Sequence, residues 1–342
     1  MIPLKIDPAA KTPLYKQITA PIERSARDGS LPAGTQLPSM NELAAELDIS
    51  KETVKKAYGF LVERGIIIPK QGKGFYVADL SSRAHMQVLV IFDRFSVYKQ
   101  EMFNAFSDAL GPAAEITIVN HNQSVDLLGY YLDTYLDSFD WYVVAPHFPL
   151  DAVSQERMAA QLKRIPARKL ILIDHLPEGL SGSFGAVYQD FESDIYGGLL
   201  QGLEDGGKFE QLRVITLPTS LYGARIRRGI EYFARDKHVA VEFLTGSPEE
   251  ILTGDTFLVL NSQLDAGLVD LARKIGEKGL DIGKDVRIIS YNEYGMNELV
   301  LGGLTTVSTD FPEMGRLAAR MILSRSLSKL HCPFRMTRRK TF

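Results

Sequence analysis

Lys51, Thr53 and Lys55 stand in the stretch DISKETVKKAYGFLVERG, residues 48 to 65, where Val54, Ala57, Tyr58 and Leu61 recur at i, i+3, i+4 and i+7. That spacing turns Val54, Tyr58 and Leu61 toward a core and leaves Lys51, Glu52, Lys55 and Lys56 outside. Ammonium and hydroxyl groups near the N-terminus of an exposed helix can bond phosphates and base edges in a major groove. A second candidate group is Gln71-Gly72-Lys73-Gly74, the glycine-bearing tip of a hairpin read from IIIPKQGKGFYVA. Its glycine backbone could approach a sugar-phosphate chain while Lys73 reaches a phosphate. Singly, lysines on a helix mark a solvated face; it is the combination that points to nucleic acid.

Other chemistries find little support. The six histidines, at 85, 121, 147, 175, 238 and 331, never fall at metal-ligand spacing with each other or with carboxylates. There is no G-x-S-x-G elbow, and QGKGF lacks the frame of a phosphate loop. Cys332 is the single cysteine, which excludes a disulfide framework and a cysteine metal cluster. No catalytic residue, metal or cofactor is expected.

The elements that must position the basic groups are legible. Thr12-Pro13 opens a helix carrying Leu14, Ile18, Ile22 and Ala26, in which Pro21 predicts a kink or local break. After DGSLPAGTQLP, Ser39 and Glu42 form a capping box ahead of Leu43, Ala44 and Leu47. LDIS is a tight turn, Ser50 caps the next helix, and Arg64-Gly65 ends it. Two helices across a tight turn, the second bearing basic and hydroxyl side chains at its start, form a helix-turn-helix, with the hairpin as a wing. The formal net charge of −3 divides into +2 over residues 1–80 and −5 over the rest, a small asymmetry.

Residues 10–79, with PLYKQI, GSLPAGTQLPSMNELAAELDIS, KETVKKAYGFLVERG and GKGFYV, closely resemble the winged helix-turn-helix of GntR-family bacterial transcription regulators. The resemblance implies DNA contacts from Ser39, Lys51, Thr53, Lys55, Gln71, Gly72 and Lys73. Asn41 stands where many relatives carry an arginine, in place of a phosphate or guanine contact.

From Gln87 strands alternate with helices: QVLVIF, EITIVN, WYVVAP and KLILID, then QLRVITLP, VAVEFL, TFLVLN and VRIISYN. The expected fold class is therefore α/β: a winged helix (1–79), a linker (80–86) and a two-lobed, doubly wound parallel domain (87–342) with ligands at the strand C-terminal ends. Lobe 1 is expected to span about 87–187 and 309–328, and lobe 2 about 188–308 and 329–342. LILIDH, VYQDFESDIYGG, LYGARIRRGIEYF, FLVLNSQLDAG and ISYNEYGMNELVLGGLTTVSTDFPEMGRLAARMIL, closing with PFRMTRRKTF, resemble the periplasmic-binding-protein-like sensor domain of the lac-repressor type.

That resemblance implies a sugar-sized effector in the cleft. It places Arg225 there, where a forked donor suits vicinal hydroxyls. Asn292 sits where relatives often have Asp, and Thr309 where a glutamine often stands. Asp174 and Asn261 end strands as acceptors. Phe95, Ser96 and Tyr98 form the first strand-to-helix loop, and Phe311 opens a helix. Asp190 follows the first crossover and could cap a helix instead; His147 and His175 follow strands, and of these His147 is carried as a candidate ligand.

The expectation is a one-component regulator, a repressor in the commoner sense. It would be a homodimer on double-stranded, near-palindromic operator DNA, controlled by a monosaccharide or sugar phosphate. Two rivals differ in class. A sugar transport component would share the lobes, but no secretory leader is read at the start. A sugar-modifying enzyme would need a general acid or base, for which Asp174 and Asp190 are the pair to test. With apolar runs such as VLVIF and WYVVA far too short to span a bilayer, a cytoplasmic protein without membrane contact is expected.

Overall fold

The structure is a computed structural model describing residues 4, 6–8, 10, 12–27, 29–79, 86–216, 220–260 and 266–342. Asn261 and most of the expected linker lie outside the described residues. The chain divides into two compact units, one of Met1–Gln87 with Pro112–Glu115 and Tyr130–Asp140, the other of Val88–Gly111, Ile116–Gly129 and Trp141–Phe342.

The first unit begins with α1 (Leu14–Arg27), α2 (Met40–Glu46) and α3 (Lys51–Glu63), followed by β1 (Ile67–Lys70) and β2 (Gly74–Val77). α1 runs through Pro21 as one helix, so of the expected kink or break the break does not occur. The ring forfeits one backbone hydrogen bond, but Ile18 and Ile22 on either side are buried in the core with Leu43, Val54, Tyr58 and Leu61. Packing of that stripe outweighs the local cost. Ser39 caps α2 in a full capping box, its N–H donating to Glu42 Oε2 at 2.8 Å and its Oγ accepting from Glu42 N at 3.2 Å. β1 and β2 pair antiparallel from Ile67↔Val77 to Lys70↔Gly74, so Gln71, Gly72 and Lys73 form the tip. Gly72 there has φ +70, a conformation other residues adopt only with strain.

Mostly within the second unit, the chain then runs through β3 (Met86–Phe92), α4 (Val97–Leu110), β4 (Ala114–Asn120), α5 (Val125–Tyr135), β5 (Trp141–Val144), α6 (Ala152–Leu162), β6 (Leu170–Asp174) and β7 (Gly185–Tyr188). It then crosses into α7 (Phe191–Glu204), β8 (Gln211–Ile215), α8 (Gly223–Asp236), β9 (Ala240–Leu244), β10 (Asp255–Val259), α9 (Ala266–Glu277), β11 (Arg287–Tyr291) and β12 (Thr305–Thr309). α10 (Phe311–Ser324) and β13 (Lys329–His331) return to the first lobe, and β14 (Phe334–Thr337) closes the second.

Two six-stranded sheets result, ordered β13-β7-β6-β5-β3-β4 and β14-β12-β11-β10-β8-β9. β14 pairs antiparallel with β12 at the edge of an otherwise parallel array, the doubly wound pattern of the α/β class. The lobe boundary differs from the expected residue 329, because β13 pairs parallel with β7 and belongs to lobe 1 through His331. Three crossovers therefore join the lobes, after β7, after β12 and between β13 and β14.

Close helix packing depends on particular glycines. A Cβ at Gly198 of α7 would lie 2.7 Å from Phe334, and one at Gly202 would lie 2.7 Å from Met336, so α7 rests directly on β14. Both strand residues sit with Leu199, Val307 and Phe342 in the core of lobe 2.

Candidate functional site

Of the sequence-predicted DNA-contacting residues, Lys51, Lys55, Asn41, Gln71, Gly72 and Lys73 are exposed on α3, α2 and the hairpin tip. Two others are engaged locally. Thr53 Oγ1 lies 2.8 Å from Ser50 Oγ, the cap of α3, and Ser39 is held by Glu42. Two hydrogen bonds from Ser39, the backbone one first, keep the Glu42 carboxyl below its usual range. Lys55 Nζ is 3.6 Å from Glu52, a surface pair worth little. Lys56 lies over the Tyr15 ring at 4.4 Å and Lys70 over Tyr76 at 4.4 Å, so these two cations brace aromatic rings. Gln36 Nε2 donates to Lys73 O at 2.9 Å and fixes the hairpin tip. The unit thus presents Lys51 and Lys55 on the first turns of α3, with Lys73 on a braced hairpin.

In the second unit the strand C-terminal ends of the two lobes face one cavity of about 420 Å³. That is the size of a small-molecule site. Phe95, Ser96, Tyr98, His147, Asp174, Asn292 and Phe311, all expected there, line it. Three other expected residues do not. Asp190 caps α7 instead, accepting from Ser193 N at 3.3 Å. Arg225 is drawn away by Glu178, Nη2 donating to Oε1 at 2.7 Å, an ion pair between α8 of lobe 2 and the loop after β6 of lobe 1. Thr309 stands one layer behind, its Oγ1 donating to Gln189 Oε1 at 2.6 Å.

The cavity holds a charged network that strand-end reasoning only half reached. Lys99, 5 % exposed, donates to Asp93 Oδ1 and lies 3.5 Å from Asp174 Oδ2. His147 Nε2 bonds Asp174 Oδ2 at 2.6 Å, and Gln189 Nε2 donates to Asp174 Oδ1. Burial alone would raise the Asp174 pKa, but His147 and then Lys99 outweigh it and hold the carboxyl below its ordinary value. Burial likewise favours neutral Lys99, and the Asp174 and Asp93 charges overcome it, keeping the ammonium charged. His175, beside the network, is driven to about 3 by burial, then by His147 and Arg225. His121 is driven to about 4, again mainly by burial. Its Nδ1 accepts from Gln123 N at 3.1 Å, so Nε2 carries the proton given to Ala145 O at 2.9 Å.

Two features mark the cavity as a place built for a ligand. Asp174 and Asn292, at the ends of β6 and after β11, have φ +74 and +72, a left-handed backbone that non-glycine residues adopt at a cost and that clusters at binding sites. Four buried side-chain polar atoms of described lining residues lack a hydrogen-bond partner: Ser96 Oγ, Tyr222 OH, Tyr291 OH and Asn292 Oδ1. An unmet buried polar group costs about 1–3 kcal/mol. Four gathered around one cavity offer donors and acceptors to whatever enters it. Aromatic faces supply apolar walls: Tyr98 and Phe311 lie 4.8 Å apart, and Phe191 stacks on Tyr222 at 4.2 Å. No group of three or more metal-ligating side chains gathers among the described residues.

Asp93, Lys99, Gln189, Tyr222 and Tyr291 were missed from sequence. Asp93 follows β3 and obeys the same strand-end rule that found Asp174. Lys99 had a signal too: it shares the buried stripe of α4 with Met102, Phe106 and Leu110, where a lysine is out of place unless paired.

Comparison with known proteins fits both halves of this geometry. Residues 14–77 match the model of bacterial regulatory proteins of the gntR family, and residues 218–336 match that of the periplasmic binding protein-like domain. One stretch of the chain is thus similar to gntR-family regulators and another to the periplasmic binding protein-like domain. The gntR-type part is 38% identical over 77 residues to an HTH-type transcriptional repressor of Salmonella typhimurium, covering 22% of this chain and 32% of that one. It is 29% identical over 106 residues to the HTH-type transcriptional repressor YtrA of Bacillus subtilis, covering 31% and 78%. This chain thus spans about a third of the length of the Salmonella relative. The periplasmic-binding-protein-like part has the fold of the trehalose repressor from Escherichia coli, with TM-score 0.58 and 17% identity over 74% of this chain and 99% of that one. It also has that of a LacI family regulator from Enterococcus faecium with bound ribose, with TM-score 0.56 and 18% identity over 75% and 98%. At that identity the likeness concerns the fold. No described helix is long and apolar enough to cross a membrane.

Proposed function

We propose that this chain is a transcriptional repressor that binds double-stranded operator DNA through its winged helix and releases it when a small carbohydrate occupies the cavity between the lobes. The observation that carries the reading is the cavity with four unmet buried polar atoms, in a chain that also carries a basic, exposed α3. Relatives named as repressors support the same assignment, as do fold neighbours named as a trehalose repressor and as a LacI family regulator with bound ribose. Lys51 and Lys55 on α3 would enter the major groove, with Lys73 of the wing on a phosphate. A two-fold dimer would set two recognition helices about one turn apart on a near-palindrome, and the compartment would be the cytoplasm that holds the DNA.

The effector can act only through unequal affinity for the two lobe arrangements. We assign the cavity to binding rather than turnover, because Asp190 is committed to capping α7 and the two carboxylates in the cavity, Asp93 and Asp174, are both engaged by Lys99. The test is a fluorescence-anisotropy titration of a duplex selected from random DNA by the full chain, repeated with a sugar panel. Saturable binding relieved by one sugar class, which is recovered unchanged, is the expected result. Failure to select any duplex would overturn the reading.

A further inference from the structure

Resting on the carbohydrate reading above, we infer that the effector is an uncharged polyol of monosaccharide size, and that the buried Lys99–Asp93 pair makes the cavity refuse its phosphate esters. An ammonium in a pocket ordinarily invites an anion. Here Lys99 is already matched by the carboxylate it touches, Asp93, and by Asp174 at 3.5 Å, whose same oxygen is bonded by His147 at 2.6 Å. A phosphate brought to Lys99 would therefore meet two carboxylates as well, and like charges at that range repel strongly where water is excluded.

The hydrogen-bonding pattern points the same way. Lys99 has three N–H donors, one given to Asp93, with Asp174 3.5 Å away as an ion-pair partner, so a donor is left for a ligand. Asp93 Oδ2 takes no hydrogen bond from the described residues and offers an acceptor beside that donor. A donor next to an acceptor suits a hydroxyl, which does both, and not a phosphate oxygen, which only accepts. The four unmet atoms extend the match. Ser96, Tyr222 and Tyr291 hydroxyls donate or accept, while Asn292 Oδ1 can only accept and so requires a donor on the ligand. Arg94 also lines the cavity, but it is exposed, where water screens its charge.

The experiment is isothermal titration of the full-length protein with matched pairs, each a free pentose or hexose and its own phosphate ester, with operator binding measured on the same preparation. The expected result is a free sugar that binds while its ester binds at least tenfold more weakly, with the gap narrowing in D93N, where Lys99 loses one of its two counter-charges. An ester that binds wild type as tightly as its parent sugar, or more tightly, overturns the inference whatever D93N does. If operator is bound but no member of any pair is, the carbohydrate effector falls and this inference with it. If a free sugar is preferred but no operator is ever bound, this inference stands and the regulatory reading falls.

Discussion

Lys99 is a buried cation whose removal leaves two carboxylates facing each other without it. K99M should therefore destabilise the second unit by about 3–5 kcal/mol. K99M/D93N, which also removes one uncompensated charge, should recover part of that in urea denaturation. The histidines set a pH dependence whose sign can be worked out. His121 and His175 are driven from 6.5 to about 4 and about 3, so below pH 6.5 the unfolded chain binds more protons than the folded one. Stability should fall as pH drops from 6.5 toward 4, by on the order of 1.4 kcal/mol per unit for each fully buried histidine. Asp194, raised to about 6 mainly by burial, opposes this between 3.8 and 6, since the folded state there holds the extra proton. H175F should flatten the melting temperature profile over that window; an unchanged profile would show that His175 is not held neutral. At this scale the sequence reached residues whose position at a strand end betrays them, such as Asp174 and Asn292. It did not reach the Arg225–Glu178 pair, because Glu178 is 47 residues away and on the other lobe.

Elements differ in how much room they leave. α7 carries adjacent glycines with opposite prospects: Gly197 has nothing within 4 Å of a built Cβ, while Gly198 faces Phe334. G198A should destabilise by about 1–3 kcal/mol through overpacking. G197A should be neutral or stabilising by up to about 1 kcal/mol, since alanine favours the helix. Thermal melts of the two variants check the contrast. For α3, replacing Lys51 or Lys55 by alanine should weaken operator binding and lower the slope of log affinity against log salt by about 0.9 for each phosphate that the lysine neutralises. An unchanged slope would place that lysine off the DNA. The long periodic helices and apolar strands were legible because burial of one face imprints a period on the sequence. β7, β13 and β14 were not, being three or four residues long and defined by their partners rather than by any pattern of their own. At Pro21 the helix is continuous rather than broken, because the core around Ile18 and Ile22 outweighs the local cost.

In the second unit the lobes are tied to each other by Arg225–Glu178 and by Glu101 Oε1, which accepts from Gly295 N at 3.2 Å. Both ties are near solvent and individually weak. E178Q should therefore raise the effector dissociation rate only a few-fold in stopped-flow displacement, leaving operator affinity without effector little changed.

The path of the chain through the crossovers has another consequence. β13 and β14 come after α10, yet each supplies the edge of a different sheet, and Thr341 is bonded to both Ile288 O and Thr305 N. On the ribosome neither lobe can complete its sheet until residues 329–341 have emerged, so the two should become protease-resistant together and late. The winged helix, with every strand and helix of its core before residue 80, is free to fold long before. A ribosome stalled before residue 329 would thus carry a finished winged helix and neither lobe complete.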